Sequence, residues 1–498
     1  MSLTKASAKG VFWINADRVM GQILGLISTA ILARLLIPAD FGLVAMANLV
    51  TNLMNLITEL GLAEAIIQRE ELEERHKSTA FWVNMISGCV LACVTVLTAP
   101  LAAWFFESPD LQPILSVLSL SFVFGTFGSV QEALFIRRMQ FQVVAMARIS
   151  YTVIRVVITI ILALAGLGVW SLVIGNLAGT LTGSGLMWIF SSWRPKLILS
   201  RDGLGELLRF SLNLVGARVM GYFGNKIADI LVGKFLGPAA LGVYSIASNI
   251  TWVLRAQLAT SVTEATFPAF ASIQQDDERL RRGYIKLVKY ISLVTFPAMV
   301  GLIIVAPEFV QIVYGSKWQE VVLPLQILCF GAAFSTLGII NGPIQKAKGR
   351  TNLHLNLVST SVVLSVIFTI IGANYGLVGV SIAIAVRSLL WMWIAAFFTY
   401  ALINLSFKPV IKALYPATLG SLTMGGVAIV YRFYAVQLLS LNDLTMLTTT
   451  TLVGIGVYLS TLKIFDKSSL DEGYRLFVDI LKPYFLTIQK RIFFFRAQ

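Results

Sequence analysis

Four sets of polar residues recur at helical spacing inside long apolar runs of this 498-residue chain. Asn15, Arg18, Gln22, Gly25 and Thr29 follow one another in steps of three and four, which puts them on one face of a helix. Arg218, Tyr222, Asn225 and Asp229 repeat that pattern 200 positions later, with Lys226 beside them. Asn48, Asn52, Asn55 and Glu59 form a third stripe, and Ser248, Trp252 and Arg255 a fourth. Repeated cations and amides on such faces suit the binding of a polar, anionic ligand. An arginine fork matches phosphate oxygens two at a time, so Arg18, Arg218, Lys226 and Arg255 predict a site for an anionic head group. Asn48, Asn52, Asn55, Gln22, Asn225 and Trp252 would hold the rest of a polar ligand. Asp229, with Asp17, Glu59 and Glu264 as further candidates, is the expected seat of a coupling cation, H+ or Na+. The competing use of these charges is mutual pairing, because Asp17 adjoins Arg18 and Asp229 lies close to Lys226 along the helix.

Bond-making motifs are missing from the sequence. It has no P-loop, no G-x-G-x-x-G after a strand, no H-E-x-x-H and no G-x-S-x-G. Cys89, Cys93 and Cys329 sit in apolar runs and His76 and His354 lie far apart, so neither a metal site nor a catalytic residue is expected. No cofactor is expected beyond the coupling cation.

The elements that must carry these stripes follow from composition. The chain is 57% hydrophobic and only 13% charged, against about 25% charged in soluble domains. That excludes a soluble enzyme, a disordered chain and a secreted disulfide scaffold. The expectation is an all-α polytopic membrane protein. A span needs about 20 apolar residues, and fourteen candidates are present, near 11–37, 42–67, 80–106, 112–135, 147–166, 169–190, 210–236, 241–270, 284–306, 321–343, 354–373, 377–402, 411–434 and 444–464. Arg155 and Arg432 interrupt two of them. With the N-terminus inside, 29 of the 39 lysines and arginines fall on cytoplasmic segments, so both termini are predicted to be cytoplasmic. The net charge of +14 is accounted for by that bias, and nucleic acid is not an expected partner. The outer segments are short, the longest being PEFVQIVYGSKWQE, which leaves no room for a soluble catalytic domain.

Residues 18–47 align without a gap on 218–247, and ten of the thirty positions are identical, among them Arg18/Arg218, Pro38/Pro238, Ala39/Ala239 and Gly42/Gly242. A weaker echo relates GLGVWSL (166–172) to GLVGVSI (376–382). The predicted organisation is two parallel six-helix repeats, an N-lobe over 1–200 and a C-lobe over 201–403, then two C-terminal helices over 404–466 and a cytoplasmic tail over 467–498. An even number of helices per repeat gives both copies one orientation, with a pseudo-two-fold axis along the membrane normal. Gly175, Gly179 and Gly183 are spaced for close helix packing. Arg155 and Arg387 lie mid-span and are expected either to line the substrate path or to pair with Glu64 or Glu264. The tail, which ends in RIFFFRAQ, has the mixture of aromatic and basic residues of an interfacial segment.

ILARLLIPADFGLVAMA (31–47), GLAEAIIQR (61–69), ALFIRRMQF (133–141), GLGVWSLVIGNL (166–177), WRPKL (193–197), ILVGKFLGPAALGVYSIA (230–247) and FPAFASIQQDDERLRRGY (267–284) carry a family resemblance. Over residues 5 to 410 the chain resembles the Wzx-type polysaccharide and lipopolysaccharide exporters of the multidrug/oligosaccharidyl-lipid/polysaccharide flippase superfamily. The resemblance implies a bacterial inner-membrane flippase, not an enzyme. Its substrate would be an undecaprenyl-diphosphate-linked oligosaccharide, moved to the periplasmic leaflet by alternating access through a cationic cavity. It also implies a polysaccharide polymerase and a chain-length regulator as partners, beside membrane lipids and the lipid-linked oligosaccharide itself. The related lipid II flippase carries cavity charges on the helices that hold Asp17, Arg18 and Arg255 here; its cation on the second helix has no counterpart in this chain. The competing expectations are a cation-coupled small-molecule exporter of the multidrug type, which would favour twelve helices and an acidic cavity, and a membrane polysaccharide polymerase, which would need a large outer loop.

Overall fold

In hydrocarbon a backbone N–H or C=O finds no water, so segments of this composition can cross only with every group bonded inside the chain, as helices. A computed structural model describes residues 3–58, 66–67, 69, 72–198, 204–439, 441–468 and 470–471. The described residues contain helices and no strand. In order these are α1 (Leu3–Leu35), α2 (Pro38–Thr58), α3 (Glu74–Phe105), α4 (Leu111–Leu118), α5 (Leu120–Arg137), α6 (Phe141–Leu164) and α7 (Val169–Phe190). There follow α8 (Leu204–Ser272), α9 (Asp277–Val313), α10 (Val322–Leu337), α11 (Asn341–Ala347), α12 (Thr351–Ala373), α13 (Gly376–Leu402), α14 (Phe407–Leu439) and α15 (Asp443–Phe465). The chain is an all-α polytopic membrane protein.

Twelve stretches among the described residues are long and apolar enough to span a membrane. The spans expected at 210–236 and 241–270 overlap one of these stretches, Arg218–Ala256, as two helical segments of α8 on either side of Gly237. At Gly237 its backbone leaves helical geometry with φ 80° and ψ −177°, a conformation open to glycine alone. The span expected at 42–67 is α2, described as helix to Thr58. Arg155 and Arg432 do not break their helices.

The chain divides into two compact units. Unit 1 comprises residues 1–246, 313–321 and 362–380; unit 2 comprises 247–312, 322–361 and 381–498. In unit 1, α1 packs on α6, α6 on α7, and α5 on both α3 and α7. Leu32 of α1 and Leu36 just after it meet Ala163 of α6 in a buried cluster. The glycine stripe of α7 lets α6 approach closely: a methyl group at Gly175 would lie 1.9 Å from Thr159 Oγ1, and one at Gly179 2.8 Å from the Tyr151 carbonyl oxygen.

The two aligned segments meet each other inside unit 1. A Cβ on Gly42 would sit 1.7 Å from the carbonyl oxygen of Pro238, and one on Gly242 would sit 2.0 Å from that of Pro38. Residue 42 touches 238 while 242 touches 38. Exchange of partners between equivalent positions is the contact that a two-fold axis generates. Only glycine fits at either crossing, because what stands in the way is backbone. Two further contacts close this end of the unit. Trp318, wholly buried, donates from Nε1 to the Ala33 carbonyl at 2.7 Å and meets the Phe41 ring edge-on at 5.1 Å. Lys234 donates to the Glu107 carboxylate at 2.7 Å, and that hydrogen bond and charge hold the Glu107 carboxyl below its ordinary range.

In unit 2 the C-terminal pair α14 and α15 is clipped onto α9. Arg432 and Glu308 pair at 2.8 Å, Lys289 and Asp466 at 2.7 Å, and Tyr458 Oη donates to the Leu293 carbonyl at 2.7 Å. Glu308 is 9% exposed, so Arg432 answers a charge that would otherwise be costly to bury.

Candidate functional site

The stripe on α1 runs from exposed to half-buried. Arg18 and Gln22 are exposed, while Gly25 and Thr29 are half-buried, with Thr29 Oγ1 donating to the Gly25 carbonyl at 2.8 Å. The helix turns its other face, with Ser28, Leu32 and Ala33, into the unit. Asp17 does not pair with its sequence neighbour Arg18. Its carboxylate lies 3.7 Å from Arg148 of α6, and Arg148 in turn holds Glu132 of α5 at 2.6 Å. Three helices are thus tied by one guanidinium, and Arg18 keeps no ion-pair partner among the described residues.

On α2, Asn48, Asn52 and Asn55 are all exposed, whereas Leu43, Met46, Ala47 and Leu49 of the same helix are buried. The asparagines therefore form a continuous polar face opposite a packed one. Glu59 and Glu64 lie outside the described residues, as do the side chains of Asn15 and Glu264 and most of the tail 467–498.

The corresponding stripe on α8 is more heavily engaged. Arg218 is half-buried and has interaction partners. Tyr222 Oη donates to the Leu49 carbonyl of α2 at 2.7 Å, which fixes this face of α8 against α2. Asn225 is exposed and donates to the Gly221 carbonyl at 2.9 Å. Lys226 and Asp229 pair at 2.8 Å, the lysine largely exposed and the carboxylate mostly shielded.

Arg18, Arg218 and Lys226 belong to unit 1; Ser248, Trp252 and Arg255 belong to unit 2. Trp252 is 61% exposed. Arg255 points inward: its Nε is buried without a hydrogen-bond partner, and the cation within electrostatic reach of it is Arg387 of α13. Arg387 Nη1 donates to Ser361 Oγ of α12 at 3.1 Å. From sequence Arg387 is expected to line the substrate path or to pair with Glu64 or Glu264, both outside the described side chains; its charge reaches Arg255. Two guanidinium groups within electrostatic reach of each other, with no carboxylate bonded to Arg255 among the described residues, make a candidate cradle for an anion. Arg155, in unit 1, lies with its guanidinium 5.8 Å from the centre of the Tyr151 ring, and its Nε is likewise buried without a hydrogen bond. Arg148 and Ser361 are the neighbours of these residues that sequence reading did not pick out. The available signal was a charge or hydroxyl inside an apolar run, which says that a partner exists but not which one. Among the described residues no group of three or more His, Cys, Asp or Glu side chains could hold a metal ion.

Residues 31–323 match the protein family described as polysaccharide biosynthesis protein. The chain is 28% identical over 389 residues to the lipopolysaccharide biosynthesis protein WzxC of Escherichia coli (strain K12), an alignment covering 77% of this chain and 78% of that one. It is 25% identical over 354 residues to the teichuronic acid biosynthesis protein TuaB of Bacillus subtilis (strain 168), covering 71% and 73%. Among solved structures it is similar to lipid II flippase MurJ in its inward closed conformation, with a TM-score of 0.74 at 16% identity over 92% of this chain and 100% of the other. At that identity the likeness is one of fold.

Proposed function

We propose, since this chain belongs to the polysaccharide biosynthesis protein family, that it moves a lipid-linked oligosaccharide from the cytoplasmic to the periplasmic leaflet of a bacterial inner membrane. The carrier is undecaprenyl diphosphate, and the chain works as a transporter, not as an enzyme. The observation that carries this reading is the Arg255–Arg387 cradle with Ser361 in unit 2. Like charges brought together inside a membrane-spanning unit raise the energy of the empty site, and a diphosphate relieves it by taking both forks. Arg18 and Lys226 offer the same chemistry on unit 1, Arg18 on the helix face of Gln22 and Lys226 next to Asn225 on α8. The head group is handed between these cations as the protein alternates its access. Asp229 is the proposed seat of the coupling cation, since its carboxylate is the shielded member of its pair. A polymerase and a chain-length regulator take up the product.

The test is transfer of a fluorescent lipid-linked oligosaccharide in reconstituted vesicles. Arg255→Ala and Arg387→Ala should each abolish transfer at normal insertion levels, while undiminished transfer would leave these arginines as scaffold. Topology has its own check in a background lacking Cys89, Cys93 and Cys329. Both termini are proposed to be cytoplasmic, so Ser316→Cys should label with an impermeant reagent from outside and Gln275→Cys should not; both positions are exposed. The reverse pattern overturns the orientation.

A further inference from the structure

Unit 2 contains a cavity of about 390 Å³ that the cationic cradle does not line. Its walls come from α9, α10, α13 and α14 with Asn341 of α11, and its size is that of a small-ligand site. Most of the lining is aromatic or aliphatic, including Phe334, Trp393, Ile411 and Tyr415. One end is polar and already satisfied: Tyr284 Oη donates to Asn341 Oδ1 at 3.0 Å and lies 3.4 Å from Tyr400 Oη. An apolar cavity has little to offer water. The edge is open, since Trp393 is 50% exposed and Ile411 and Tyr415 are each 57% exposed.

A charged pair borders that edge. Lys408 precedes Ile411 by three residues and Tyr415 by seven, which aligns them on α14, and Lys412 follows one turn on. Both lysines are exposed and neither has an ion-pair or hydrogen-bond partner among the described residues. Next to the start of α14, Arg281 donates to the Asn404 carbonyl at 3.1 Å. An apolar cavity whose exposed edge is flanked by unpaired cations suits an amphiphile with an anionic head. Lysines at the end of a membrane helix reach the head-group layer with their charge while their stems stay on apolar surface, and basic pockets between such helices bind anionic lipids.

We infer that this cavity seats an acyl chain of an anionic membrane phospholipid, with the lipid phosphate held by Lys408 and Lys412. A zwitterionic lipid would fill the slot equally but gain little from the lysines. The site is independent of the transported oligosaccharide, and its test does not use transport.

Trp393 supplies the readout. The full chain is reconstituted in phosphatidylcholine bilayers, and phosphatidylglycerol with brominated chains is titrated in. The quenching due to Trp393 is the difference from Trp393→Phe. It should saturate at a lower mole fraction of brominated phosphatidylglycerol than of brominated phosphatidylcholine. Lys408→Gln with Lys412→Gln should weaken the preference about twenty-five-fold, about fivefold per lysine. Ala396→Phe, which fills the slot, should remove the Trp393 component. Equal quenching by the two lipids, or quenching that the double lysine variant leaves unchanged, overturns the inference. Displacement of the brominated lipid by a polyprenyl diphosphate at lower concentration would give the slot to the transported lipid instead. A rise in quenching on removal of residues 472–498 would give it to the tail. The lysine pair is on the surface, so its result stands even where Ala396→Phe fails to fold.

Discussion

Segments 18–47 and 218–247 are two versions of one helix pair, and they agree and differ in an ordered way. The agreement is at the crossing, where Pro38 and Gly42 meet Gly242 and Pro238 with partners exchanged. The difference is along the polar faces. Gln22, Gly25, Leu26 and Thr29 in the first copy stand where Tyr222, Asn225, Lys226 and Asp229 stand in the second. The first copy therefore presents Arg18 with a neutral stripe, while the second presents Arg218 with an ion pair. A contact made by backbone against backbone tolerates one residue type in both copies. A polar face needs only to stay polar, so the copies can specialise.

The largest expected effect comes from breaking the agreement. Gly42→Leu or Gly242→Leu drives a side chain into a backbone carbonyl that cannot swing away, so either should cut the yield of monodisperse, inserted protein by about tenfold or more. The two should be alike, and a loss confined to one copy would break the reciprocity. Size-exclusion chromatography of both variants decides it. Next come the cations. Arg18→Ala should abolish transfer with insertion intact, whereas Arg18→Lys keeps charge without the fork and should lose only part of it. Equal activity in both variants would mean that Arg18 acts as a point charge or not at all.

A smaller effect is expected from the pair that distinguishes the copies. The Lys226–Asp229 bridge is only partly shielded, so its contribution to stability is about 1 kcal/mol or less, and Asp229→Asn should leave the melting temperature nearly unchanged. Its transport should nevertheless lose its response to pH, sodium or potential. Normal responses would remove Asp229 from the coupling role. Leu26→Lys with Thr29→Asp copies the bridge into the first segment and sharpens the comparison, since a symmetric pair should disturb transport more than folding. The smallest effect belongs to the exposed stripe of α2. Asn48→Ala should weaken apparent substrate affinity by about twofold, the loss of one neutral hydrogen bond in contact with water, measured as the concentration for half-maximal transfer.

The sequence by itself determined the elements and the faces. Composition requires membrane helices, and the step of three and four places Asn48, Asn52 and Asn55 on one side of α2, where they are exposed together. Repetition over 200 positions exposes Pro38, Gly42 and their counterparts as special. These are local or self-referential signals, carried by spacing along the chain. Partnership is not. Asp17 turns to Arg148 and not to Arg18, the charge that reaches Arg255 is that of Arg387, and Trp318 reaches back to the Ala33 carbonyl across 285 positions. Along α8 the backbone leaves helical geometry at Gly237, so the expected spans 210–236 and 241–270 fall on either side of a break that glycine makes possible. Periodicity fixes the direction in which a side chain leaves its helix. Which helix stands there, and at what height, is set by close packing of glycine-lined faces in three dimensions, so the partner of a buried charge was decided only by the tertiary structure.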